Sequence, residues 1–106
     1  MFGRQVTLKL KANSATELSR IAEDEILPIL RKQKGFRDST TFIAPERSEA
    51  IANSFWDTKA DADAYSRTAY TQVLTTLSPV IDGTPTVKNF EFASSTLLQA
   101  AASKLV

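Results

Sequence analysis

The sequence predicts a small α+β fold in which four strands and two helices follow the order βαββαβ. Strand-like segments occur four times along the 106 residues, and two segments with apolar residues at helical spacing lie between them. No change of composition divides the chain, so we expect a single domain over residues 1–106. Its core is expected at about residues 4–92, and a short helical tail at about residues 94–106.

The first half of the chain begins with a half-buried strand. Residues 5–11 alternate between apolar and polar side chains, which is typical of a strand with one buried face. The helix that follows is predicted to begin at Ser14, because Ser14 and Glu17 have the capping-box spacing. Pro28 is expected to kink this helix or to mark a new helical start. Gly35 is predicted to take the left-handed conformation after the helix.

The second half begins with a hairpin. Residues 36–44 and 49–56 are rich in aromatic and β-branched side chains, and the turn residues 45–48 lie between them. Thr58 is a predicted N-cap for a second helix, whose apolar residues step by four from Tyr65 to Leu77. Residues 86–92 form the fourth predicted strand. Apolar residues at helical spacing in the tail predict a short helix that docks on the body or on a partner subunit.

Two halves of this kind, joined by right-handed crossovers, predict a ferredoxin-like antiparallel sheet with both helices on one face. Gln5, Thr7 and Lys9 would suit a solvent-facing second face. The aromatic hairpin, Phe90 and Phe92 nevertheless place apolar groups on both faces of other strands. We therefore expect a homodimer in which two sheets face each other.

Charge and composition exclude several classes of function. Thirteen Lys and Arg against twelve Asp and Glu leave a net charge of +1, which argues against binding of nucleic acid. The absence of Cys and His removes Cys-His and Ser-His-Asp nucleophiles and the usual zinc sites. We expect no metal and no cofactor. The longest strongly apolar stretch, around residues 26–30, is too short to span a membrane, and a cytoplasmic location is expected.

Two short motifs resemble those of antibiotic-biosynthesis monooxygenase-type domains, which belong to the dimeric α+β barrel superfamily. The resemblance covers about residues 6–92. The first motif is the run of residues 26–32 followed by Gly35 and Phe36, and the second is Phe55, Trp56 and Asp57 followed by Ala60, Ala64 and Tyr65. The resemblance implies a dimeric α+β barrel and a pocket between sheet and helices. By position, the implied site residues are Asn53, Trp56 and Tyr65.

The resemblance further implies a cofactor-independent oxygenase of polycyclic phenols or quinols. Asn53 and Tyr65 would bind the developing oxyanion, Trp56 would stack on the substrate, and Arg37 or Arg67 would favour the deprotonated form. Without His, the base would be a carboxylate, a water or the substrate's own acidity, and haem degradation is disfavoured.

Each implied site residue also has a structural interpretation. Trp56 and Tyr65 suit a hydrophobic core, and Asn53 suits a hydrogen bond to a loop carbonyl. Two alternative functions therefore remain. One is a non-catalytic dimeric module that binds a small aromatic or hydrophobic ligand, and the other is an isomerase or lyase of the same barrel group.

Overall fold

The computed structural model describes residues 1–93 and confirms the α+β architecture. Four strands, β1 (Phe2–Lys9), β2 (Phe36–Ile43), β3 (Glu49–Trp56) and β4 (Thr86–Glu91), form one sheet in the order β2-β3-β1-β4. Every neighbouring pair is antiparallel. This is the ferredoxin-like order expected from the sequence. The predicted tail at residues 94–106 lies outside the described residues.

The predicted first helix is interrupted by a π-helical turn. It consists of α1 (Ala15–Ile21), a π-helical segment (Ala22–Ile26) and α2 (Leu27–Arg31). The N–H of Leu27 bonds to the carbonyl of Ala22, five residues earlier. The wider turn suits Pro28, which lacks an N–H and whose ring would clash with a carbonyl four residues back in an α-helix. Pro28 therefore marks a new helical start, one of the two outcomes expected for it.

The predicted second helix is two helices, α3 (Lys59–Arg67) and α4 (Tyr70–Leu77). They separate at Thr68, whose φ of −121° and ψ of −87° are not helical. The apolar stripe continues through this break, since Tyr65, Val73 and Leu77 are all buried. Packing against the sheet, rather than helical continuity, keeps these side chains on one side.

The two predicted N-caps have different outcomes. Thr58 caps α3, because its hydroxyl accepts a hydrogen bond from the N–H of Asp61 at 3.1 Å. Ser14 makes no such bond, and the capping-box prediction is wrong there. Its hydroxyl donates to the carbonyl of Ala12, while Glu17 pairs with Arg20 at the exposed surface.

The core lies between the helices and one face of the sheet. Alternation along β1 places Phe2, Val6 and Leu8 on this face, where all three are buried. The helices contribute Leu18 from α1 and residues of α3 and α4. The opposite, open face of the sheet carries the exposed aromatic side chains of Phe42 and Phe90. No helix within residues 1–93 is long and apolar enough to cross a membrane.

Candidate functional site

A cavity of about 340 Å³ lies between the helix-facing side of the sheet and the helices. Its walls are mostly apolar, with side chains from β1, α1, the π-helical segment and α4. The principal apolar residues are Val6, Leu8, Leu18, Ile26, Val73 and Leu77. A volume in this range is typical of a site for a small molecule.

Arg4 lines this cavity although it is a charged residue in the core. It lies two residues before Val6 on β1, so alternation places it on the helix-facing side, where it is 4% exposed. Its Nε donates a hydrogen bond to the Ser66 hydroxyl of α3 at 3.0 Å. Its guanidinium carbon lies 4.0 Å from the ring centroid of Tyr70 and 5.4 Å from that of Tyr65. These distances are those of cation–π contacts.

No carboxylate neutralises Arg4 within residues 1–93. The four ion pairs of this part of the chain are formed by other side chains. A buried charge is costly unless it is paired, and aromatic faces compensate it only in part. The cavity therefore contains a positive charge that an anion would stabilise.

Two serines extend the polar group around Arg4. In the sheet register, Arg4 on β1 is paired with Ser54 on β3, and Ser54 is paired with Ser39 on β2. All three line the cavity. The Ser54 hydroxyl accepts a hydrogen bond from the indole nitrogen of Trp56 at 2.9 Å. Because a hydroxyl can donate as well as accept, Ser54 can still offer a hydrogen to a ligand.

The structure brings Trp56 and Tyr65, two of the three site residues named from the sequence, into contact. Their ring centroids are 5.0 Å apart and their planes are inclined by 27°. Tyr65 lines the cavity, whereas Trp56 is fully buried and is not among the lining residues. Trp56 also makes an edge contact with Phe36, at 5.6 Å between centroids. Trp56 thus lies behind Tyr65.

The side chain of Asn53 does not join these two rings. Its register partners are Gln5 and Thr40. The Asn53 oxygen accepts from Gln5 at 3.3 Å, and its amide nitrogen donates to the Thr40 hydroxyl at 3.3 Å. Asn53 is among the residues that line the cavity, but these hydrogen bonds hold its side chain on the open face with those of Gln5 and Thr40. Trp56 is three positions along the strand from Asn53, so the two side chains point to opposite faces.

The two arginines named from the sequence also lie away from the cavity lining. Arg37 is exposed and pairs with Asp57, and Arg67 is exposed in the last turn of α3. The cation of the cavity is Arg4, which the sequence analysis missed. The predicted alternation began at Gln5. Stepping back two residues from Val6 would have placed Arg4 on the same face as the apolar residues Val6 and Leu8.

The phenol of Tyr65 is a hydrogen-bond donor rather than a base. Burial raises the pKa of Tyr65 to about 12, although the nearby Arg4 guanidinium acts in the opposite direction. Among residues 1–93, Glu23 is the one acidic residue that lines the cavity, and it lies in the π-helical segment. Because Glu23 is exposed, it stands at the solvent side of the cavity.

Sequence comparison gives no relative: no family model matches the chain, and no curated protein matches its sequence. Comparison with solved structures does find proteins of similar fold. A candidate antibiotic biosynthesis monooxygenase from Nitrosomonas europaea superimposes with a TM-score of 0.71 at 14% identity, over 89% of this chain and 100% of that one.

Two further structures contain ligands. A monooxygenase from the gene ActVA-Orf6 of Streptomyces coelicolor, in complex with nanaomycin D, has a TM-score of 0.69 at 16% identity. The match covers 89% of this chain and 88% of that one. A variant of MhuD with two manganese protoporphyrin IX molecules per active site has a TM-score of 0.71 at 14% identity, over 91% and 98% of the chains. The chain therefore has the fold of antibiotic biosynthesis monooxygenase-type domains.

The residues of this chain do not fit a haem group held through its iron. The sequence contains no His, which is the usual proximal ligand. Two phenols, Tyr65 and Tyr70, line the cavity, and Tyr65, whose pKa burial raises to about 12, stays protonated at neutral pH. Ligation of iron by phenolate would require that proton to leave.

Proposed function

We propose that this chain binds a planar phenol or quinol between sheet and helices and oxygenates it without a cofactor. The observation that carries the proposal is the division of the cavity into apolar walls and one polar end. Arg4, Ser54 and Tyr65 form that end. A planar aromatic molecule with oxygen substituents on one edge matches this distribution.

A quinol can supply every electron that the reaction needs. One oxygen atom of O₂ replaces a ring hydrogen as a hydroxyl, the quinol becomes a quinone, and the second oxygen atom leaves as water. The protein need only bind the substrate, orient it and stabilise its anion. The Tyr65 hydroxyl donates a hydrogen bond to the substrate oxygen, and the positive charge of Arg4 favours the deprotonated form.

Trp56 has an indirect role in this proposal. It stacks on the far side of Tyr65 and is itself held by the Ser54 hydroxyl. It is therefore a positioning residue, which restricts the ring of Tyr65 to one orientation. Asn53 also lines the cavity, but its side chain is given no role in this proposal because its hydrogen bonds hold it on the open face.

The structural neighbours support a small-molecule site in this fold. Two of them are described as monooxygenases or candidates for that activity, and one holds nanaomycin D. At 14–16% identity these likenesses concern the fold alone, so the argument for this chain depends on its own cavity.

The test is oxygen uptake with a panel of polycyclic quinols, corrected for autoxidation. We expect protein-dependent uptake and formation of a hydroxyquinone. Tyr65→Phe should lower kcat by about a hundred- to a thousandfold, the range seen on removal of one oxyanion donor. Gln72→Ala, an exposed change on α4, should leave the rate unchanged. Equal rates with and without protein across the panel would refute the oxygenase proposal.

One observation favours a second candidate, a non-catalytic binding module. Tyr65 is protonated, and the one acidic side chain of the cavity lining described here, Glu23, is on its solvent side. The buried end therefore contains no base. Saturable binding of a quinol without oxygen uptake would favour this module, whereas product formation without oxygen uptake would favour an isomerase or lyase.

We also propose a homodimer formed through the open face of the sheet. Phe42 and Phe90 on this face are 61% and 50% exposed, and Phe55 and Phe92 form an edge contact beside them. Exposed aromatic groups on one face are typical of a protein interface. Sedimentation equilibrium should give twice the monomer mass, and Phe42→Asp should shift the protein toward monomer. A monomeric wild-type protein would contradict the proposal.

A further inference from the structure

We infer that the ligand of this cavity carries a carboxylate, which Arg4 and Ser54 bind at the polar end. The inference rests on the proposed function and narrows its substrate class to planar phenols or quinols that also carry a carboxylate, with Tyr65 donating to the phenol oxygen and Arg4 binding the carboxylate. It concerns binding, so it can hold whether or not the bound molecule reacts with oxygen.

Most hydrogen-bond donors of the Arg4 guanidinium have no partner within residues 1–93. Within residues 1–93 its side chain makes one hydrogen bond, from Nε to the Ser66 hydroxyl. A guanidinium carries five N–H donors, and four belong to the terminal nitrogens. Arg4 is 4% exposed, and its terminal nitrogens reach the cavity that it lines, since no fully buried side-chain nitrogen within residues 1–93 lacks a hydrogen-bond partner.

The guanidinium is also held in place. The bond to Ser66 fixes one edge, and the Tyr70 ring lies 4.0 Å from the guanidinium carbon. An anchored planar fork matches the two oxygens of a carboxylate, which accept a pair of parallel hydrogen bonds. A phenolate has one oxygen and can satisfy only part of this fork.

Arg4 is the one basic residue of the cavity lining described here, and Glu23 on the same lining carries a negative charge. One guanidinium balances one carboxylate, whereas a phosphate dianion would leave an excess negative charge near Glu23. Most of the other lining residues are apolar and suit an aromatic ring system.

Calorimetric titration of the wild-type protein with three probes tests the inference. The probes are 2-naphthoate, 2-naphthamide and 2-naphthol, which share one ring system and differ in the polar group. We expect 2-naphthoate to bind at least about 30-fold more tightly than 2-naphthamide, since loss of one partner of a buried charged pair costs about 2 kcal/mol or more. The neutral 2-naphthol should also bind more weakly than 2-naphthoate.

Two variants and one control assign the effect to Arg4. Arg4→Met should remove the preference for 2-naphthoate over 2-naphthamide, and Arg4→Lys should retain part of it. Arg37→Met is the control, because Arg37 is exposed and pairs with Asp57. If Arg4→Met does not fold, the comparison of probes on the wild-type protein still decides the question.

Several results would overturn the inference. Equal affinities for 2-naphthoate and 2-naphthamide would exclude carboxylate recognition, and tighter binding of 2-naphthol would assign the site to phenols. Failure of the oxygenase proposal appears differently, as binding of 2-naphthoate without oxygen uptake from any quinol. If none of the three probes binds, this cavity is not a site for planar aromatic acids.

Discussion

The indole ring of Trp56 stacks on the phenol ring of Tyr65, with centroids 5.0 Å apart and planes inclined by 27°. This contact joins the end of β3 to α3. The indole nitrogen of Trp56 donates a hydrogen bond to the Ser54 hydroxyl. Ser54 is the register partner of Arg4 on the neighbouring strand, on the same face of the sheet. The fully buried Trp56 therefore connects the two polar groups proposed to contact ligand, Tyr65 and Ser54.

Loss of the Ser54 hydroxyl should destabilise the fold through Trp56. Ser54→Ala leaves the buried indole N–H without its acceptor, and we expect a loss of about 1–3 kcal/mol in the free energy of unfolding. Ser39→Ala is the matched control on the same cross-strand row, expected within about 0.5 kcal/mol of wild type. Urea unfolding followed by the fluorescence of the single Trp measures both. Equal losses for Ser54→Ala and Ser39→Ala would show that the hydrogen bond from Trp56 to Ser54 does not stabilise the fold.

Tyr65 should make stability fall at alkaline pH. Because burial raises the pKa of Tyr65 from 10.0 to about 12, the unfolded chain loses this proton at lower pH than the folded protein. Protonated Tyr65 therefore contributes fully to the free energy of unfolding below pH 10. This contribution, about 2–3 kcal/mol in total, is lost as pH rises toward 12. Tyr65→Phe should lack this component of the fall. Parallel alkaline profiles for the two proteins would show that Tyr65 ionises normally.

Asn53→Ala should leave ligand binding at the cavity unchanged. Its side chain bonds to Gln5 and Thr40 on the open face, so its removal affects that face. We expect the dissociation constant for 2-naphthoate to stay within about twofold of wild type, since the Asn53 side chain shares no hydrogen-bond partner with Arg4. The same titration reports it. A loss of binding comparable to that of Arg4→Met would place Asn53 at the site.

Two glycines with positive φ should differ in their tolerance of Ala. Gly35 has a φ of 78°, and an added Cβ would lie 2.1 Å from Oδ2 of Asp61. Gly83 has a φ of 71°, and nothing lies within 4 Å of its added Cβ. Gly83→Ala should cost about 1–2 kcal/mol from backbone strain alone. Gly35→Ala should cost more, as measured by thermal unfolding. A smaller cost at Gly35 would contradict the close packing of the turn on α3.

The sheet was largely predictable from local patterns. The aromatic and β-branched runs place β2 and β3 within one residue of their observed ends, because both strands are rich in residues that suit a pleated sheet. The positive φ of Gly35 was also predictable, since glycine has no Cβ to oppose it. Thr58 caps its helix as expected, whereas Ser14 does not.

The helical interruptions depend on the packed fold. The π-helical segment and the break at Thr68 lie inside runs whose apolar spacing suits continuous helices. Local spacing therefore could not show where these helices change their geometry. Contacts with the sheet determine which residues face inward.

The candidate site was predictable in part. Tyr65 and Trp56 were identified because their residue types and positions match a family motif. The opposite orientation of Asn53 was implicit in the sequence, since residues three apart on a strand face opposite ways. Arg4 was missed because the alternation was read only from Gln5 onward, and a charged residue among apolar neighbours is the signal that was overlooked.

In every binding role proposed for this chain, the ligand lies between the helices and the sheet. Intermolecular NOEs between the ring protons of 2-naphthoate and the protein methyl groups test it most directly. The account predicts NOEs to Val6, Leu18 and Val73, which line the cavity. NOEs to Ile51, which shares the open face with Asn53, together with none to the cavity methyls, would contradict it.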